Sequence, residues 1–68
     1  MNTLKIKGEY ITLDKMLKFA GVAQTGGHAK ILIQSGEVIV NGEVEERRGK
    51  KLRVGDIIEI EEEKFIIE

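Results

Sequence analysis

The 68 residues contain no cysteine, no proline and no tryptophan, and only three aromatic residues, Tyr10, Phe19 and Phe65. Without cysteine no disulfide staples the fold, and one histidine, His28, cannot supply the ligands of a structural zinc site. No cofactor or metal is therefore expected. The lack of thiols fits a reducing compartment. No apolar run is long enough to cross a bilayer, and the opening MNTLKIKGEY lacks the apolar stretch of a signal peptide. A cytoplasmic protein with no membrane partner is the expectation. Catalysis lacks its parts as well. His28 has no cysteine, no base-paired serine and no second histidine to act with. The carboxylates gather toward the end of the chain with no acid/base spacing, so neither an enzyme nor a small-molecule substrate is expected. No linker or repeat divides residues 1–68, which read as one small domain stabilised by packing alone.

What is present is charge, unevenly placed. Residues 1–53 carry ten Lys/Arg against six Asp/Glu, while residues 54–68 carry one Lys against six acids. The net charge of −1 hides a basic working part and an acidic end strand. A basic face acts on a partner within about one Debye length, ~8–10 Å, so the local balance matters more than the total. Charge decoration for solubility is the competing explanation.

The chain is organised around residues 25–42, TGGHAKILIQSGEVIVNG. Thr25 is placed to cap a helix, Ala29, Leu32 and Ile33 give it an apolar face, and Gly36 stands at its stop. Val38 and Val40 then share one side of a strand, and Asn41-Gly42 is a strong hairpin-turn signal. Upstream, Thr3 to Lys7 alternates as a strand with Leu4 and Ile6 inward, and Tyr10-Ile11 extends or restarts it. Thr12 is the expected cap of a first helix whose stripe is Leu13, Met16, Leu17 and Ala20, ended by Gly21. Phe19 is expected to cover a second edge of the core. Ile31 lies off the second helix's main face, as a second contact or an exposed apolar spot. Downstream, Glu43 to Glu46 starts a return strand, Val54-Gly55-Asp56 is a turn, and Ile57–Ile60 and Lys64–Ile67 are strands. The expected fold is α+β, with a two-helix hairpin packed on one face of a small, mainly antiparallel sheet.

Three features could carry function. Five of the seven residues from Arg47 to Arg53 are basic (Arg47, Arg48, Lys50, Lys51, Arg53), set around Gly49. Clustered cations of this kind neutralise phosphates, whereas with no partner they only repel one another. Thr25-Gly26-Gly27 opens the second helix with two residues that lack side chains. A phosphate could reach the backbone N–H donors there, with His28 and Lys30 adding their own. The simpler explanation is that these glycines let the helices turn and touch. Lys15 and Lys18 lie on the solvent side of the first helix and could extend the same face. No aromatic lies inside the cationic run, so phosphate contacts and shape are expected to outweigh base stacking, as with structured RNA.

The order Leu13-Asp14-Lys15, Gly21, Ala29, Leu32-Ile33, Gly36, Val38, Val40-Asn41-Gly42, and then Val54-Gly55-Asp56 with Ile58, resembles the S-four RNA-binding domain, also called the alpha-L motif. The resemblance spans about residues 11–60. The segments around Thr25–Lys30 and Glu45–Leu52 are similar to its small stand-alone bacterial branch. It implies non-catalytic binding of structured RNA, ribosomal RNA ahead of transfer RNA, with ribosomal particles as partners and a role in ribosome assembly. Thr12 and Gly26 stand where many relatives carry arginine. The load would then fall on Lys15, Lys18, Lys30 and the Arg47–Arg53 loop. A protein-interaction adaptor working through the acidic end strand or a sheet edge is the alternative.

Overall fold

Short amphipathic segments separated by glycine turns leave little choice of elements. A computed structural model describes residues 1–68. In chain order these are β1 (Asn2–Leu4), β2 (Ile11–Thr12), α1 (Leu13–Phe19), α2 (Gly26–Gln34), β3 (Ile39–Val40), β4 (Glu43–Val44), β5 (Lys51–Leu52), β6 (Ile57–Ile60) and β7 (Glu63–Ile67). Five strands form one sheet in the order β1-β7-β6-β3-β4, with β1 parallel to β7 and the other pairs antiparallel. Strands β2 and β5 pair separately as an antiparallel ribbon, Ile11 opposite Leu52 and Thr12 opposite Lys51.

The helical stripes behave as their spacing requires. Leu13, Met16 and Leu17 of α1 and Ala29, Leu32 and Ile33 of α2 are buried, and the helices pack on each other. They share one apolar cluster with Val38, Val40, Leu52, Ile58, Ile60, Phe65 and Ile67. Thr25 caps α2, its hydroxyl oxygen accepting from the His28 N–H at 3.0 Å. Gly36, at φ +83°, takes the left-handed conformation that ends the helix. Asn41 and Gly42 both have positive φ, as a type I′ hairpin turn between β3 and β4 requires.

Other expectations are corrected. Phe19 does not cover the core, because 66 % of its surface faces solvent; Ile31 is the exposed spot rather than a second contact. Strand β1 ends at Leu4, short of Lys7, since β7 runs out at Ile67 and only the Ile6 N–H reaches on, to the Glu68 carbonyl. Strand β4 stops at Val44, short of Glu46, with only the Glu45 N–H reaching on, to the Val38 carbonyl at 2.9 Å. Thr12 occupies the cap position of α1 but makes no side-chain cap hydrogen bond.

The β6–β7 hairpin closes on Glu61-Glu62, both with positive φ (51° and 66°). Non-glycine residues other than Asn and Asp pay about 1–2 kcal/mol each for that conformation. Replacing the pair by Asn-Gly (Glu61→Asn with Glu62→Gly) adds about 1–2 kcal/mol, since that dipeptide adopts the turn without strain and the freedom glycine gives the unfolded chain offsets part of the relief. At about 4–8 °C per kcal/mol for a domain of this size, a thermal melt followed by circular dichroism rises correspondingly. An unchanged or lower midpoint would contradict this account of the turn.

Candidate nucleic-acid interface

The basic loop is built from both of its ends. At its start the Glu45 carboxylate accepts from the Arg47 side chain twice, Nε at 2.9 Å and Nη2 at 3.0 Å, and from the Arg47 backbone N–H at 3.1 Å. The hydrogen-bonded guanidinium overrides the opposing effect of burial and holds the Glu45 carboxyl down at about 2. Glu45 therefore stays ionised wherever the chain is folded near neutrality. A turn then brings the Lys50 N–H to the Arg47 carbonyl at 3.2 Å.

The middle of the loop caps α1. Leu13 N–H donates to the Lys50 carbonyl at 2.8 Å and Asp14 N–H to the Arg48 carbonyl at 3.1 Å. Two of the donors that open a helix are thus satisfied by loop backbone in place of the Thr12 side chain. Arg48 also reaches Asp14, Nε to Oδ2 at 3.6 Å. Leu52, wholly buried, pins the far side of the loop into the core.

Beyond it a clamp joins two turns. Asp56 accepts from the Arg53 N–H at 2.8 Å and from Asn41 Nδ2 at 3.0 Å. Asn41 Oδ1 in turn accepts from the Ile57 N–H at 2.9 Å, and the Asn41 N–H donates to the Ile57 carbonyl at 2.8 Å.

Arg47 and Arg48 are therefore paired with carboxylates, while Lys50, Lys51 and Arg53 form no ion pair. These three, with Arg47 and Asp56, line an open hollow of about 600 Å³ around Gly49. The acidic Glu61-Glu62 turn follows the opposite end of β6 from Asp56. Three strand steps separate Ile57 from Ile60, roughly 10 Å at 3.3–3.4 Å each, which is about one Debye length. The acids of that turn do not cancel the loop.

Tyr10 was not a candidate from the sequence, yet it belongs to this surface. Lys51 Nζ lies 4.9 Å and Arg53 Cζ 5.7 Å from its ring centroid, within cation–π reach. Tyr10 also lines a second hollow with Lys15 and Lys18 of α1 and with Lys5, Lys7 and Phe19. No aromatic lies inside the 47–53 run itself, but the fold sets Tyr10 beside it. Ile11 pairs with Leu52, and that register carries Tyr10 to the side chains of Lys51 and Arg53. Nothing local in the sequence signals this pairing, because it joins residues some 40 positions apart.

The start of α2 is arranged differently. Thr25 and His28 are engaged locally, with His28 Nδ1 accepting from the Gln24 N–H at 3.3 Å. The Gly26 and Gly27 N–H groups make no hydrogen bond within the chain. Lys30 is exposed. No hydrogen bond or ion pair connects residues 25–30 to the loop, and neither basic hollow includes them. The loop meets α1, and α1 in turn packs on α2.

A helix pair on a small sheet is an architecture shared with known proteins. The sequence matches the S4 domain over residues 4–68. The chain belongs to the S4 domain family. The match is wider than residues 11–60, beginning at the last residue of β1 and taking in β7 and the acidic turn. The probable ribosome maturation protein RlbA of Bacillus subtilis (strain 168) is 52% identical over 60 residues, 88% of this chain and 84% of that protein. E. coli YbcJ, whose solution structure reveals an alpha-L motif involved in RNA binding, aligns with a TM-score of 0.74 at 31% identity. That alignment covers 98% of this chain and 86% of YbcJ. The S4 domain here is thus the alpha-L fold, a two-helix hairpin on a mainly antiparallel sheet. No helix is long and apolar enough to cross a membrane.

Proposed function

We propose that this chain binds structured RNA, without acting on it chemically, in the maturation of ribosomes. Ribosomal RNA stands ahead of transfer RNA because RlbA is named for ribosome maturation. One observation carries the proposal. Lys50, Lys51 and Arg53 project from a loop anchored by backbone hydrogen bonds and by Leu52, and no carboxylate forms an ion pair with their side chains. A preordered set of free cations loses little entropy when it neutralises phosphates. Arg47 and Arg48 add charge at the rim, and Lys15 and Lys18 continue it along α1. The free N–H groups of Gly26 and Gly27, with Thr25, His28 and Lys30 beside them, form a second phosphate contact on the other helix.

Ultraviolet cross-linking in growing cells, followed by sequencing of the bound RNA, tests this. Enrichment at defined positions of ribosomal RNA or its precursors is the expected result. Cross-links scattered in proportion to RNA abundance, or protein partners that survive nuclease treatment with no RNA cross-linked, would overturn it. The second outcome would favour an adaptor.

A further inference from the structure

Two of the three aromatic residues are spent on the surface, which is costly in so small a domain with so few. Tyr10 is 43 % exposed and Phe19 66 % exposed. Both line the same hollow of about 780 Å³, and every charged residue that lines it is a lysine: Lys5, Lys7, Lys15 and Lys18. Three elements converge there: the segment after β1, the approach to β2, and the outer face of α1.

Four lysines alone describe a phosphate surface. Two exposed rings among them add what a paired helix has no use for, since its bases are stacked out of reach. An unpaired nucleotide has both parts, a flat π-face to stack and flanking phosphates for the ammonium groups. From the aromatic rings set among lysines beside α1 we infer a site for an unpaired nucleotide in the RNA. The site rests on the RNA-binding role proposed above and refines it. The Arg47–Arg53 loop takes the sugar-phosphate backbone of the paired part, and the hollow takes a base turned out of the stack. Tyr10 joins the two, its ring already fixed by Lys51 and Arg53. Phe19 has no such neighbour and is the free platform.

The test compares two synthetic RNA hairpins of equal length, one fully paired and one with a single unpaired adenosine in its stem. The folded protein should bind the bulged hairpin about ten-fold more tightly, the size of one base–aromatic stack. Phe19→Ala should remove that preference and leave affinity for the paired hairpin unchanged, because Phe19 touches no phosphate. Phe19→Trp should restore it, and the introduced indole, unique in this chain, should be quenched by the bulged hairpin alone. Equal wild-type affinity for the two RNAs, or equal losses on both in Phe19→Ala, would overturn the nucleotide site while leaving RNA binding intact. Failure to bind either hairpin would overturn both. Phe19 is exposed, so the alanine variant folds, and its thermal melt verifies this.

Discussion

Replacing Lys50, Lys51 and Arg53 together with alanine is expected to lower affinity for structured RNA on the order of 10²–10³-fold, taking about 1–1.5 kcal/mol for each cation–phosphate hydrogen bond removed. The salt dependence should change with it. If four to six phosphates are neutralised, log K falls against log salt with a slope of roughly −3 to −5, and losing three cations brings it about 2–3 closer to zero. The fold should survive. What the loop does for the fold is done by main-chain carbonyls, Arg48 and Lys50 to the first turn of α1, and by Leu52. Alanine keeps all of these. Fluorescence anisotropy at several salt concentrations gives the slope, and a melt within a few degrees of wild type gives the control. Unchanged affinity in a folded triple variant would remove the loop from the interface.

The second large effect comes from the residue beneath those cations. Leu52→Ala is expected to cost about 2–5 kcal/mol, the range for a buried leucine emptied to alanine. A chain of this length has only roughly 3–10 kcal/mol in total. The melting midpoint should drop by at least about 8 °C, at about 4–8 °C per kcal/mol. The physical reason is that Leu52 serves two structures at once. It is wholly buried against the helices and sheet, and its backbone pairs with Ile11 to form the β2–β5 ribbon that positions Tyr10. A loss below about 1 kcal/mol in the denaturation midpoint would mean that the loop is not pinned as described, because core truncations of leucine cost more than that.

Leu52 also shows where the sequence is legible and where it is not. Most of the legible features are local ones. The stripe Leu13, Met16, Leu17 and the cap at Thr25 are readable because helix period and capping act within a few residues. The Asn41-Gly42 turn is readable for the same reason. A lone leucine among cations carries no such pattern, and its role depends on a strand pairing with Ile11. The Asn41–Asp56 clamp is similar. Val-Asn-Gly and Val-Gly-Asp are each turn signals, but only the fold shows that the Asn and Asp side chains bind one another. Glu61-Glu62 was hidden for the opposite reason, since glutamate is a poor residue for a positive-φ turn and the strands on either side impose it.

The candidate site follows the same division. The five basic residues of 47–53 stand out by composition alone. Their inequality does not: Glu45 takes Arg47 and Asp14 takes Arg48, leaving three of the five unpaired. Tyr10, Lys5 and Lys7 join the surface only through tertiary pairing, and the contact of the loop with the start of α1 arises the same way.

The most direct measurement is a backbone amide chemical-shift titration of the labelled protein with a structured ribosomal RNA fragment. Shifts concentrated at Arg47 to Arg53, Tyr10, the exposed side of α1 and the Gly26 and Gly27 amides are the expected result, fading as salt is raised. Shifts confined to Glu59–Glu68 and the edge strands, with residues 47–53 unmoved, would contradict it.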